Sequence, residues 1–395
     1  MQNLSSIHPF PARMAPEVAL NTCATLPYGS TILDPMSGSG TVMRAASEHG
    51  HNGVAFDMDP MAVLLTKVWT TPIDIQAFLH TAGKIVTQAK KLPLRKVQLP
   101  WIDEDDETRA FVEFWFARKQ RDQLRKLCYL ILKRKDAISD ALRVATSRLI
   151  ITKKHGASLA GDVSHSRPHR IRELNDFNVF DEFLRSATFV ARWLCSESLM
   201  GTVQIERGDA RLLNHVAKAS IDAIVTSPPY LNAIDYMRGH KMSLIWFGYR
   251  ISELRNVRST SVGAERTPDQ DADLELAQAL TLMIDPDEKI PRRRRRMIDR
   301  YALDMAAIVR EMHRVLKPQG KAVLVVGNSC HRGVYVENTQ ITRIAAERAG
   351  LRLAELTERE IPPSRRYLPP PTQGGITSIQ QRMRTEAVMT FVKKG

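Results

Sequence analysis

Apolar positions along the chain follow two rhythms, and the switch between them organises it. Over residues 30–70, short apolar runs alternate with amphipathic ones: 30–33 reads as a strand, 41–49 as a helix, 53–57 as a second strand, and Pro60 opens another helix at its first turn. This is a βαβ unit. From about Thr71 to Gln204 the strand pattern stops. Apolar residues such as Leu124, Leu127, Ile131 and Leu132 now recur at helix spacing with Arg and Lys between them, interrupted by a Gly-, Ser- and His-containing loop over 155–172. The α/β rhythm returns with strands over 203–207 and 221–225 and a helix-like stretch between them. A polar stretch over 252–296 follows, then a helix over 299–315 that Pro318 and Gly320 stop before a strand over 321–327. Alternating runs over 351–361 and 387–392 flank a proline-rich loop and predict a hairpin at the sheet edge. The predicted fold class is α/β, a mostly parallel twisted sheet with a C-terminal antiparallel hairpin. Residues 1–70 and 204–395 build it, and 71–203 form a large, mainly helical insertion.

Composition narrows the function. The chain has 395 residues, 43% of them hydrophobic, enough for one large domain or two ordinary ones and enough to exclude general disorder. Its apolar runs fall far short of the roughly 20 residues that span a bilayer. Residues 1–17 hold three prolines and no apolar signal core, so the expected location is cytoplasmic, with no membrane partner. Cys23, Cys128, Cys195 and Cys330 form no Cys-x-x-Cys pair, which argues against a zinc ribbon or a disulfide framework and predicts ordinary buried thiols. Charge says more. Lys and Arg number 57 against 43 Asp and Glu, a net charge of +14, and the segment 109–172 alone holds 16 bases against 5 acids. So one-sided a surplus predicts a polyanionic partner, although a solvated helical face would carry the same pattern. A second run, Arg292, Arg293, Arg294, Arg295 and Arg296, precedes a helix starting near Met297 and reads as an exposed loop, equally suited to contacting phosphate.

Two turns carry the candidate chemistry. Asp34-Pro35-Met36-Ser37-Gly38-Ser39-Gly40-Thr41 joins a strand to a helix, and Gly38 and Gly40 let a ligand approach the backbone at the helix N-terminus. A dinucleotide fingerprint would want a third glycine where Met43 stands, so a smaller nucleotide-like cofactor fits better. Asp57, 23 residues after Asp34, stands close to where such folds place a carboxylate on ribose hydroxyls. In the second turn, Thr226-Ser227-Pro228-Pro229-Tyr230 closes a predicted strand. Its prolines leave carbonyls free of ladder duties, Ser227 adds a hydroxyl, and Tyr230 offers a face for a planar base. Such a site suits a planar exocyclic amine.

Together the two turns resemble the motif pair of the amino-group DNA methyltransferases of Ser-Pro-Pro-Tyr type, which methylate cytosine N4 or adenine N6 using S-adenosylmethionine. The likeness covers about two thirds of the chain and implies a Rossmann-like methyltransferase fold. His8-Pro9-Phe10-Pro11-Ala12-Arg13 is similar to the family's motif ahead of the glycine loop, so Phe10, Pro11 and Arg13 would close over the cofactor. The resemblance puts Asp57, with Asp59 in the same motif, at the ribose, and Asp209 with Ala210 at the adenine. It puts Asp34, Pro35, Ser37, Gly38, Ser39, Gly40 and Thr41 around the methionine moiety. Residues 316–320 are similar to the turn before the fifth strand in many methyltransferases, and residues 361–366 sit where the family has a loop near the target base.

By the same resemblance, Ser227, Pro228, Pro229 and Tyr230 are the catalytic tetrapeptide. A flipped base would stack on Tyr230 and donate its amino hydrogens to Ser227 and the Pro228 carbonyl, with no metal or covalent intermediate. Ser227 stands where adenine enzymes more often carry Asp or Asn, which tilts the target toward cytosine N4. None of the four cysteines follows a proline, as cytosine C5 methylation would require. Double-stranded DNA is the expected partner, recognised by the insertion, with Arg167, His169, Arg170, Arg292, Arg293, Arg294, Arg365 and Arg366 as candidate contacts. A cognate restriction endonuclease is a second partner that the resemblance allows, and the oligomeric state stays open. Methylation of adenine N6, then of an RNA amino group, and then a non-catalytic DNA-binding protein of the same fold are the alternatives. The basic surplus argues against a protein substrate and does not separate RNA from DNA.

Overall fold

Parallel sheets are covered on both faces, so successive residues of each strand enter two different cores. The computed structural model describes residues 6–10, 13–152, 155–161, 169–194, 199–231, 235–262, 292–331, 334–361 and 385–394. The chain begins α1 (Pro16–Ala24), β1 (Thr31–Asp34), α2 (Thr41–Glu48), β2 (Asn52–Asp57) and α3 (Pro60–Thr70). The inserted region adds α4 (Ile75–Lys91), α5 (Pro100–Asp103), α6 (Asp106–Trp115), α7 (Arg118–Leu132), α8 (Ala137–Ile150), the short pair β3 (Ala160–Gly161) and β4 (His169–Arg170), and α9 (Val179–Trp193). Then come β5 (Val203–Arg207), β6 (Ile221–Thr226), α10 (Tyr236–Leu244), α11 (Ile251–Thr260), α12 (Arg292–Val315) and β7 (Leu316–Val326). The chain closes with β8 (Ser329–His331), β9 (Val334–Val336), α13 (Asn338–Arg348), β10 (Leu351–Glu360) and β11 (Thr385–Lys393).

Seven strands form one sheet in the order β10-β11-β7-β6-β1-β2-β5. From β5 to β7 every neighbouring pair is parallel, and β11 runs antiparallel to both β7 and β10. This is the Rossmann-like architecture expected from the sequence, closed by the antiparallel C-terminal hairpin. Ile32, Ala55, Val225 and Val325 point to one core, and Leu33, Phe56, Ile224 and Leu324 to the other. Helices α12 and α13 cover the second face. The first is covered by α2 and α3 and by the inserted helices, whose Phe78, Leu124, Leu142 and Phe183 are fully buried in the same core as Ile32 and Ala55.

Three local features differ from expectation. No helix joins β5 to β6. Glu311 of α12 accepts the Leu213 N–H at 2.9 Å, and Arg314 donates to the carbonyls of Leu213 and Val216 at 2.8 and 3.0 Å, so backbone groups that a helix would use are spent on α12. The arginine run is not a loop, since α12 begins at Arg292, consistent with the high helix propensity of Arg. The turn at Pro318 and Gly320 lies inside β7, where the pairing with β6 is irregular and Gln319 takes a left-handed φ of 64°. Cys23 and Cys128 are buried, and burial pushes the Cys23 thiol up to about 12 and raises that of Cys128. Cys195 lies outside the described residues. Among the described residues no helix is long and apolar enough to cross a membrane.

Because the inserted helices share a core with the sheet, they should not unfold separately. Leu124→Ala, which empties a fully buried site on α7, is expected to cost about 2–5 kcal/mol and to lower one common transition seen by both circular dichroism and tryptophan fluorescence. Two separated transitions would mean that the insertion folds on its own.

Candidate active site

Parallel strands finish at one edge, and ligands of open α/β sheets bind there, where the strand order reverses. Here the reversal is beside β1. Asp34 ends β1, Asp57 ends β2 and Thr226 ends β6. Thr226 Oγ1 donates to Asp34 Oδ1 at 2.7 Å, and the Met36 N–H reaches the same oxygen at 3.2 Å. One buried carboxylate therefore joins the start of the glycine turn to the start of Ser227-Pro228-Pro229-Tyr230.

The glycine turn admits no larger residue at its second glycine. Gly40 has φ 80°, and a Cβ there would lie 2.9 Å from the Thr66 Cα of α3. Gly38, at φ 49°, donates its N–H to Asp57 Oδ2 at 2.8 Å, while the Asp59 N–H reaches Asp57 Oδ1 at 2.9 Å. Each Asp57 oxygen keeps a further lone pair, which suits acceptance from two hydroxyls. Pro35, Ser37, Ser39 and Thr41 are buried in the turn. The Ser39 and Thr41 hydroxyls lie 2.9 Å apart, and Thr66 Oγ1 donates to Ser37 Oγ at 3.1 Å. Phe10 lies over the turn. Its ring would be 3.4 Å from a Cβ on Gly38, and it packs on Tyr236 and His240 with centroids 5.5 and 5.0 Å away. Arg13 sits 5.7 Å over the Trp69 ring, and Pro11 lies outside the described residues.

Two of the sequence-derived acids are otherwise engaged. Asp59 caps α3 through the Met61 N–H at 2.8 Å and meets His240 Nδ1 at 2.5 Å, so it positions α3 and α10. Asp209 accepts the Arg211 N–H at 2.9 Å and is gripped by the Arg211 guanidinium, with Nη2 2.6 Å from Oδ2; Arg211 also reaches Asp304 at 2.7 Å. Three N–H donors of Arg211 thus share the two Asp209 oxygens, and the carboxylate stays partly exposed. Ala210 is buried, and Gly208 donates to the Asp57 carbonyl at 3.1 Å, which keeps this turn beside β2. The Asp-x-Arg spacing was visible in the sequence; that Asp304 would complete the network was not.

The Ser-Pro-Pro-Tyr turn is braced from β7 and β11. Ser227 donates its hydroxyl hydrogen to the Val325 carbonyl at 3.0 Å, leaving its lone pairs as acceptors. Pro228 is buried and Pro229 half-buried. The Tyr230 ring lies against Gly327, where a Cβ would come within 2.8 Å of Cε2, and its hydroxyl makes a long 3.4 Å contact with Glu386. Glu386 pairs with Arg359, and Arg359 with Glu17 of α1. Burial, and then the Glu386 carboxylate, hold the Tyr230 phenol above its ordinary value. Sequence reasoning missed Gly327, Arg359 and Glu386. A glycine directly after a strand was the one available signal.

Of the expected nucleic-acid contacts, His169 and Arg170 are exposed on β4, and Arg292, Arg293 and Arg294 open α12. Arg167, Arg365 and Arg366 lie outside the described residues. Among the described residues no cluster of three or more His, Cys, Asp or Glu could hold a metal ion.

No protein-family model and no curated protein matches the chain. Among solved structures it is similar to a candidate DNA modification methylase from Thermus thermophilus, with 17% identity and TM-score 0.24 over 48% of this chain. It is also similar to a TehB-like SAM-dependent methyltransferase from Corynebacterium glutamicum, with 13% identity and TM-score 0.31 over 97% of the chain, and to an rRNA methyltransferase from Streptomyces viridochromogenes, with 11% identity and TM-score 0.32 over 98%. The chain spans about half, 51%, of the length of the Thermus structure and 89% and 88% of the other two.

Burial pushes the Asp34 and Asp57 carboxyls up to about 7; Asp57 adds to the rise at Asp34, and Asp59 to that at Asp57. Below about pH 4 folded and unfolded chains are both protonated there, and the groups contribute no difference. As pH rises toward 7 the unfolded chain releases protons that the folded site retains, so this contribution to stability falls across that window. Asp34→Asn keeps the Oδ1 acceptor used by Thr226 and Met36 and removes the charge. In the ligand-free protein, its melting temperature relative to wild type is therefore expected to rise between pH 5 and pH 8. A constant difference would place the Asp34 carboxyl at an ordinary carboxylate value.

Proposed function

We propose that this chain transfers a methyl group from S-adenosylmethionine to an exocyclic amino group of a base flipped out of duplex DNA, with cytosine N4 as the target. The observation that carries the reading is the Thr226–Asp34 hydrogen bond of 2.7 Å, which sets the Ser-Pro-Pro-Tyr turn beside the glycine turn at the point where strand order reverses. The donor set around that turn suits the cofactor. Gly40 lets the turn pack directly on α3, the half-buried Gly38 lies under Phe10, and Asp57 retains acceptor capacity for ribose hydroxyls. Asp209, oriented by Arg211 on a turn that Gly208 ties to Asp57, stands with Ala210 on the adenine side of the cofactor.

The cofactor supplies a methyl group already activated on a sulfonium, so what this chain must do is position the amine. An exocyclic amino group is a weak nucleophile because its lone pair is delocalised into the ring. Ser227 Oγ, whose own hydrogen points to Val325, accepts one amino hydrogen, and the Pro228 carbonyl accepts the other. Those two bonds turn the lone pair out of conjugation and toward the methyl group. The half-buried Tyr230 ring, lodged against Gly327, is the stacking partner of the base in this reading.

Incubation with labelled S-adenosylmethionine and unmethylated duplex DNA or RNA, followed by nucleoside mass spectrometry, is expected to yield N4-methylcytosine from DNA. N6-methyladenine would overturn the choice of base, and label confined to RNA would overturn the choice of DNA. Gly327→Ala pushes a methyl group into the Tyr230 ring, and Tyr230→Ala removes the ring. Loss of a stacking platform worth about 1–3 kcal/mol predicts turnover lower by about 5- to 150-fold in each, with cofactor affinity by calorimetry within about two-fold of wild type.

A further inference from the structure

Away from the sheet edge, three aromatic rings link an exposed cation to a cluster of four others along a strip that the proposed reaction does not use. Arg170 of β4 lies 5.0 Å over the ring of Phe114 in α6. Phe114 meets Trp115 edge-on at 5.0 Å, Trp115 packs against Phe111 at 6.1 Å, and Lys241 of α10 sits 5.1 Å over Phe111. Next to Lys241 stand Arg238 of the same helix and Arg255 and Arg258 of α11, all close enough to act on its ammonium group.

The acids beside this cluster are few. Asp235 is shared by Arg238 at 2.8 Å and Arg258 at 2.6 Å, and Arg255 pairs with Glu107 of α6. Four cations thus meet two carboxylates, and burial together with the neighbouring guanidiniums holds Lys241 below the ordinary lysine value. Crowded like charge is unfavourable in the free protein and is relieved when a polyanion arrives. Arg170 is exposed and Phe114 is 49% exposed, so the strip reaches solvent, and the rings under Arg170 and Lys241 hold both cations against the surface. It also adjoins the site, because Tyr236 and His240 of α10 pack on Phe10, whose ring lies over Gly38.

We infer that the strip running from Arg170 through Lys241 to Arg258 seats the phosphodiester backbone of the duplex DNA whose base enters the Ser-Pro-Pro-Tyr turn, an inference that rests on the function proposed above. A cation cluster with few acids and an outlying Arg170 matches a polymer that carries one charge per nucleotide, and such contacts hold the strand without reading its sequence.

The test is fluorescence anisotropy of labelled duplex DNA titrated with the full chain across a salt series. Arg170→Gln and Lys241→Gln are each expected to weaken binding several-fold. Each should also flatten the plot of log affinity against log salt by about one unit, with S-adenosylmethionine affinity unchanged and with a melting temperature that holds for Arg170→Gln and does not fall for Lys241→Gln, which removes one crowded cation. A merely structural Lys241 would lower the melting temperature on substitution and leave the salt slope alone, and the exposed Arg170 tests the strip without risk to folding. Wild-type affinity and slope in both variants would overturn the strip and leave the proposed methyl transfer standing. Tighter binding of a matched RNA duplex would overturn the assignment to DNA, and a wild-type chain that binds neither would overturn the strip together with the function it rests on.

Discussion

A carboxylate buried at the end of a strand is costly, and the edge of this sheet is organised around two of them. Asp34 and Asp57 end adjacent parallel strands, both raised to about 7 by desolvation. What keeps them tolerable is a small set of donors: Thr226 and the Met36 amide for Asp34, the Gly38 and Asp59 amides for Asp57. Each donor belongs to a turn that the site needs. The same bonds that compensate burial therefore shape the glycine loop and align the Ser-Pro-Pro-Tyr turn with it. A cationic or hydroxyl-bearing ligand relieves the burial of such carboxylates further.

Close backbone approach is the second constraint. Gly40 has no room for a side chain because α3 presses Thr66 against it, and Gly327 has none because the Tyr230 ring occupies the space. The first glycine holds two helices together behind the loop. The second brings an aromatic ring against the end of β7.

Much of this was legible in the sequence, for reasons of range. The βαβ unit, the strands at 203–207 and 221–225, and the C-terminal hairpin follow from local periodicity and punctuation by Gly and Pro, which act over a few residues. The helix expected between β5 and β6 was not there because Glu311 and Arg314, about a hundred residues away, take its backbone groups. Asp209 looked free for the same reason: its neighbour Arg211 is fixed by Asp304, which only the fold brings near. Local sequence reports which residues are able to bind; the long-range partners decide which remain available.

The C-terminal hairpin shows how far that dependence reaches. From sequence it is two amphipathic strands that finish a sheet. Inserted between β7 and β10, however, β11 pairs Ala387 with Val326, and the next residue out, Glu386, stands beside Gly327 and the Tyr230 hydroxyl. Arg359 on β10 then connects Glu386 to Glu17 on α1. The aromatic platform on the β6 turn is thus braced by a chain of charges that begins near the N-terminus and returns through the last strands. These exposed and half-buried pairs contribute modestly to stability one by one, about 0–1 kcal/mol for the exposed kind. Their value is geometric, since a ring held on one side by Gly327 and at its hydroxyl by Glu386 has little freedom to turn. Moving β11 by a single residue would send Glu386 to the other face of the sheet, so the register of the hairpin is itself part of the site.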